Sequence, residues 1–199
     1  MAQEKFQTAQ GICIPVLSGV HPAYERAQDG DGWCFTVVMD ARQMQQFLLS
    51  YCALLPAPGY FTLELPVEGQ EDYDVYYVDG CSIPVLQAIV RRYGSLLVED
   101  GDVHFGFAAH EAAEQLYVSD LKTVQIYTQC PSPVEQLLHS YQISEEPGCK
   151  TLWDVVSEEN PCQLLHVEVE EESIFDLPDL LADAGIYLAG RREALQGKS

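Results

Sequence analysis

His104, His110, Glu111 and Glu114 fall within one stretch, HFGFAAHEAAE. Imidazoles and carboxylates are ligands for zinc, and they are also the groups most used in general acid–base catalysis. The spacing does not suit a metal centre. A zincin needs His-Glu-x-x-His on one helix, so that both imidazoles face one way, and here His110-Glu111 runs into Ala-Ala-Glu. A strand over residues 102–108 puts His104 on a face with Gly106 and Ala108, opposite Val103, Phe105 and Phe107. That face is the less apolar one, so His104 is expected at the surface. No metal or other cofactor is expected. A metal-dependent enzyme using His104, His110, Glu111 and Glu114 stands as an alternative function.

Other catalytic signals are weaker. Asp29-Gly30-Asp31-Gly32 suggests a calcium loop, but an EF-hand needs an acid at its fifth position and a glutamate at its twelfth. Trp33 and Asp40 stand there, so the stretch reads as a turn. The seven cysteines, Cys13, Cys34, Cys52, Cys81, Cys130, Cys149 and Cys162, include no Cys-x-x-Cys pair. Cys130, two residues before a helix start at Ser132, is the best placed of them to ionise, with His139 as a conceivable base. No GxSxG, Walker or GxGxxG motif is present. The reading leans away from an enzyme.

A different chemistry is carried by tyrosine beside acid. Tyr73, Asp74, Tyr76 and Tyr77 share one predicted strand, with Glu71, Asp72 and Asp79 next to them. Tyrosine gives contact area at low entropic cost, and carboxylates suit a basic surface. Glu168, Glu170, Glu171 and Glu172 lie in the most acidic part of the chain, where residues 145–183 hold 12 acids and a single base, Lys150. These eight residues are the candidate partner-binding set.

The net charge of −21 over 199 residues points the same way. Such a surface repels phosphate backbones and anionic headgroups, so nucleic acid and membranes are not expected as partners. A protein with a basic face is. Scattered thiols, a polar N-terminus and the lack of a ~20-residue apolar run point to the cytoplasm.

The elements that position these groups are those of an α+β protein. Strands are expected over 12–17, 33–39, 60–65 and 73–78, then as a central run of four over 95–99, 102–108, 114–119 and 122–128, and again over 163–169. Asp100-Gly101 reads as the turn of a hairpin. Asp40 caps a first helix with the stripe Met44, Phe47, Leu48, Tyr51 and Cys52. Ser82 and Pro84 start a second, with Leu86, Ile89, Val90 and Tyr93 buried and Gly94 as its stop. Ser132 and Pro133 start a third, with Val134, Leu137, Leu138 and Tyr141. All three end on a similar apolar-to-Tyr pattern, which fits a decayed repeat and, more simply, the stripe of any helix laid on a sheet. Short helices over 151–157, burying Trp153, and 178–184 follow, then the basic pair Arg191-Arg192 and, after it, a frayed tail.

The predicted fold is a mainly antiparallel sheet of about seven to nine strands with three amphipathic helices on one face. The run 95–128 forms its middle, with 33–39 and the 60–78 hairpin together on one side. Residues 1–11 read as a flexible tail, 12–143 as the α+β core, and 144–199 as an acidic extension packed on the same domain. The function expected is that of a non-enzymatic protein-binding module. Its charge and size match those of small acidic inhibitor or immunity proteins, and an assembly subunit is a further alternative.

Overall fold

The computed structural model describes residues 5–193. The chain begins with β1 (Ile12–Cys13), β2 (Ala23–Asp29), β3 (Gly32–Val38) and helix α1 (Ala41–Cys52). Next come β4 (Gly59–Pro66), β5 (Tyr73–Cys81), α2 (Ile83–Glu99), β6 (His104–Ala109), β7 (Gln115–Val118), β8 (Val124–Thr128) and α3 (Pro131–Ser140). The acidic quarter supplies β9 (Ser144–Glu145), β10 (Gln163–Leu164), a single turn α4 (Leu177–Leu180) and β11 (Tyr187–Arg192). Nine strands form one sheet in the order β11-β5-β4-β6-β7-β8-β3-β2-β9, antiparallel except for the β2–β9 pair, while β1 and β10 make a separate two-stranded ladder.

Period-2 patterning decides which face is dry. Phe35 and Val37, Phe61 and Leu63, Phe105 and Phe107, Leu116 and Val118, and Val124 and Ile126 all enter one apolar cluster. The helices bury their stripes there too: Met44, Phe47 and Leu48 from α1, Leu86, Ile89 and Val90 from α2, Val134 and Leu138 from α3, and Leu177 from α4. The helix layer therefore lies on one face. On the opposite face a smaller cluster joins Ala23 and Val38 to Ile12, Val20, Leu121, Cys149 and Leu152, so that segments from both ends of the chain cover β2 and β3.

Several expectations are corrected. Residues 95–99 are not a strand but the end of α2, with Leu96, Leu97 and Val98 all buried. A short apolar run cannot separate a strand from a helix wholly covered at its end. Gly94 does not stop that helix; a Cβ there would meet the Gln45 side chain at 2.7 Å, so the glycine lets α1 approach α2. β3 and the β4–β5 hairpin flank the β6–β8 meander on opposite sides, because α1 carries the chain across the sheet. The 12–17 segment pairs only at Ile12–Cys13, and the 163–169 segment only at Gln163–Leu164. β2, polar on its exposed part, lacks the apolar signal of a strand and is fixed by the two-residue turn Gly30-Asp31, with Gly30 at φ +57°. α3 starts at Pro131, with Cys130 rather than Ser132 flanking it. Trp153 is 55% exposed, and Leu152 beside it is the residue buried.

Residues 1–4 and 194–199 lie outside the described residues. Within the expected flexible tail, Gln7 N donates to Asp40 Oδ2 at 3.0 Å and Ala9 is buried. The basic pair Arg191-Arg192 belongs to β11, which is hydrogen-bonded to β5, and the tail expected to fray after it falls outside the described residues.

Asp100-Gly101 is not a hairpin turn but a crossing of three segments. Gly11 N donates to Glu99 O at 2.7 Å, Gly101 N to Leu165 O at 3.0 Å, and Leu165 N to Gly11 O at 2.8 Å. The Asp100 carboxylate, with no exposed surface, accepts from Asp102 N at 2.9 Å and Val167 N at 3.1 Å. A Cβ on Gly101 would stand 2.2 Å from Gly11 O. Gly101→Ala is therefore expected to cost about 3 kcal/mol, the upper end of overpacking penalties. Gly190→Ala, whose Cβ meets nothing within 4 Å, should leave the urea midpoint unchanged.

Candidate functional site

The face of the sheet turned away from the helices carries the groups that could recognise something. Register places Tyr60, Thr62 and Glu64 of β4 beside Ala108, Gly106 and His104 of β6, and Gly106 and Ala108 beside Tyr117 and Gln115 of β7. Gln115 and Tyr117 in turn face Tyr127 and Gln125 of β8. Tyr77 of β5 and Tyr187 of β11 complete the face at one edge.

Two glycines make the face possible. A Cβ at Gly106 would lie 3.1 Å from the Tyr117 ring, and one at Gly32 would lie 2.6 Å from Tyr127. Each glycine lets a tyrosine lie down on the neighbouring strand, the use of strand glycine for close approach. Tyr127 then reaches Asp29, donating its hydroxyl to the backbone oxygen at 3.4 Å.

One end of the face is a polar lock. His104, expected at the surface, is 3% exposed. Its Nε2 lies 2.7 Å from Asp120 Oδ1, its Nδ1 lies 3.2 Å from an Arg192 guanidinium nitrogen, and Tyr73 stacks on it at 4.5 Å between ring centroids. Arg192 Nε donates to Glu64 Oε2 at 2.9 Å. Tyr73 donates to Asp102 at 2.8 Å. In the neutral ring Nε2–H donates to Asp120 and Nδ1 accepts from Arg192; a second proton on Nδ1 would face Glu64 Oε2, 3.7 Å away. Sequence alternation placed His104 on the correct face but could not show that β11 and Tyr73 cover it.

Burial by itself would lower the His104 pKa, but hydrogen bonding to Asp120 and Glu64 outweighs it and leaves the pKa above the usual histidine value. Burial would raise Glu64, and hydrogen bonds from His104, Arg192 and Tyr117 leave it below the ordinary carboxylate range. The bond from His104 lowers Asp120. At the same end, Lys122 is buried in a turn where Leu121 and Lys122 have φ of 54° and 53°. Its Nζ donates to Val103 O at 2.9 Å, and burial, opposed by Asp100 and Asp102, lowers its pKa to about 8.

The other predicted candidates are dispersed. His110 accepts from Gly80 N through Nε2 at 3.3 Å, and Glu114 Oε1 accepts from Gln129 N at 3.2 Å. His104 opens β6 and His110 follows its last residue, about 20 Å apart at strand rise, and Glu111 is exposed in the turn beyond. Among the described residues no group of three or more His, Cys, Asp or Glu is arranged to hold a metal. Cys130 and His139 lie at opposite ends of α3, roughly 14 Å apart at helical rise.

The tyrosine strand splits between two faces. Tyr76 packs against the main core, Tyr73 belongs to the lock, and Asp74 accepts from Arg191 Nε at 2.8 Å. Tyr77 joins the accessible part of the open face, in a row His110–Tyr60–Tyr77–Tyr187 with ring centroids 5.1, 5.8 and 6.3 Å apart. Tyr187 donates its hydroxyl to the Asp79 carboxylate. Glu168 and Glu171 are exposed, whereas Glu172 accepts from Arg92 at 2.5 Å and Glu170 stands 3.6 Å from the same guanidinium. Tyr60, Tyr117, Tyr127 and Tyr187 were not singled out from sequence. Period-2 alternation in β4, β7 and β8 contains the signal for the first three.

The chain matches no family model, no curated protein and no solved structure. No helix among the described residues is long and apolar enough to cross a membrane.

The lock has a defined pH window. The His104 contribution is complete below the unfolded value of about 6.5 and is lost as pH rises through the raised folded pKa. The Glu64 and Asp120 contributions are present above the unfolded carboxylate values and are lost as pH falls through the lowered ones. Wild type is expected to exceed His104→Phe by about 2 kcal/mol near pH 5–6, the scale of hydrogen bonds to charged groups. That lead should shrink toward pH 9, as read by urea unfolding across the range.

Proposed function

We propose that this chain is a non-enzymatic protein-binding module of the cytoplasm that engages a basic partner through the open face of its sheet. The observation that carries this reading is the face itself: a connected row of aromatic rings with Asp79, Glu114 and Asp29 around it, on the side of the sheet away from all four helices. Aromatic anchors with an acidic rim are the composition that grips a cationic protein surface. The seven cysteines are all free, which supports a reducing compartment. Glu168, Glu170 and Glu171 contribute long-range attraction rather than contact. Pairing with another chain along β11 is less favoured, because its register shift at Gly190 and its two arginines are features that blunt an edge.

Immobilised protein should retain a basic protein at low salt and release it as salt rises. Tyr77→Ser combined with Tyr187→Ser should weaken that complex about tenfold or more, as loss of central aromatic contacts does. Reversing Glu168, Glu170 and Glu171 to lysine should slow association several-fold and leave dissociation unchanged, as measured by surface plasmon resonance. Binding that ignores the tyrosine pair, or no basic protein retained at all, overturns the reading.

A further inference from the structure

On the open face, beyond the aromatic row, a depression of about 400 Å³ opens between Tyr60 and Tyr127. Its floor is Ala108, and Ala112 and Ala113 of the following turn form one wall. Tyr60 and Tyr127 stand on the same cross-strand row, with Ala108 and Gln115 between them. Three strand spacings separate them by about 14 Å. The depression exists because the residue on β6 is alanine: a larger side chain at that position would fill the gap between the rings.

Two carboxylates border it, Asp29 and Glu114. Asp29 is exposed at the β2–β3 turn, and Tyr127 is fixed to its backbone. Glu114 is held by one oxygen to Gln129 N, which leaves the other free to accept. The cations near this sheet are engaged elsewhere: Arg192 by Glu64, Arg191 by Asp74, and Arg26 by Glu145 at 3.1 Å and by Glu135. The depression thus combines two phenol rings, a small apolar floor and two acceptors, and the acceptors stand apart from these ion pairs.

We propose that this depression receives an arginine side chain of the basic partner. The inference rests on the partner-binding reading above and names its anchoring contact. A guanidinium is flat, stacks on an aromatic face and donates in a fork to carboxylate. Lysine has the charge but neither the plane nor the fork, so it fits less well. The side chain would lay its guanidinium against Tyr60 or Tyr127 and donate to Glu114 and Asp29.

The test uses the whole protein and a capped Gly-Arg-Gly-Arg-Gly peptide, with citrulline and lysine versions of the same length. NMR should show shifts at the Ala108, Ala112 and Ala113 methyls and the Tyr60 and Tyr127 rings on adding the arginine peptide. The citrulline peptide should cause none, and the lysine peptide should bind at least threefold more weakly. Asp29→Asn with Glu114→Gln should weaken the arginine peptide tenfold or more, whereas Glu158→Gln with Glu159→Gln, remote exposed acids, should change it less than twofold. Shifts spread over the acidic surface, equal binding of lysine, or equal loss in the remote pair overturn the inference. A basic protein that still binds through Tyr77 and Tyr187 while the peptide leaves the depression untouched defeats this inference alone. Peptide uptake with no basic protein retained defeats the partner reading and leaves the arginine pocket.

Discussion

The structure depends on β6 being covered on both faces while staying thin on one of them. All six of its residues are buried. On the helix side Phe105 and Phe107 fill the core, with Phe107 against Phe61 at 5.3 Å. On the other side the sequence offers only His104, Gly106 and Ala108, and the cover comes from neighbours. Tyr73 and Arg192 close over His104, Tyr117 lies on Gly106, and Ala108 is left as the floor of a depression. One strand thereby grades the open face from a rigid polar end to an accessible one. A β-branched residue at position 106 would lift Tyr117 from the sheet and remove that grading.

Charge works with this geometry. With 31 acids and 10 bases the chain has few cations. Several of them strap the acidic C-terminal quarter to the earlier sheet and helices. Arg26 joins β2 to Glu145, Arg92 on α2 joins Glu170 and Glu172, and β11 brings Arg191 and Arg192 to Asp74 and Glu64. Exposed pairs of this kind contribute little energy singly. Their consequence is positional: cations are drawn into internal contacts, and acid is what the surface presents.

Much of the architecture was legible where patterning and caps agreed. Asp40 accepts from Arg42 N at 3.0 Å at the start of α1, and the β4–β5, β6–β7 and β7–β8 neighbours follow from their alternation. Legibility failed where tertiary cover replaces a local signal. The buried end of α2 looks like a strand, and Asp100-Gly101 looks like a turn although it is a contact between segments about 65 to 90 residues away in sequence. β2 has too few apolar residues to announce itself. The same limit explains the site. Alternation put His104 on the correct face, but Glu64 and Arg192, its cover, lie on strands distant in sequence. Of the tyrosines at 73–77, Tyr76 turns to the core because consecutive strand residues face opposite ways, while Tyr73 shares the face of Tyr77 and is taken up by His104.

The arrangement also sets an order of events during synthesis. Gly11 finds its partners at Glu99 and Leu165, and β5 waits for β11, more than a hundred residues later, to satisfy its outer edge. At ribosomal speeds of roughly 5–20 residues per second, the nascent chain carries β5 for several seconds with its hydrogen-bonding edge bare. Closure of this fold therefore waits on β11, and that interval is when the chain is most open to pairing with another strand.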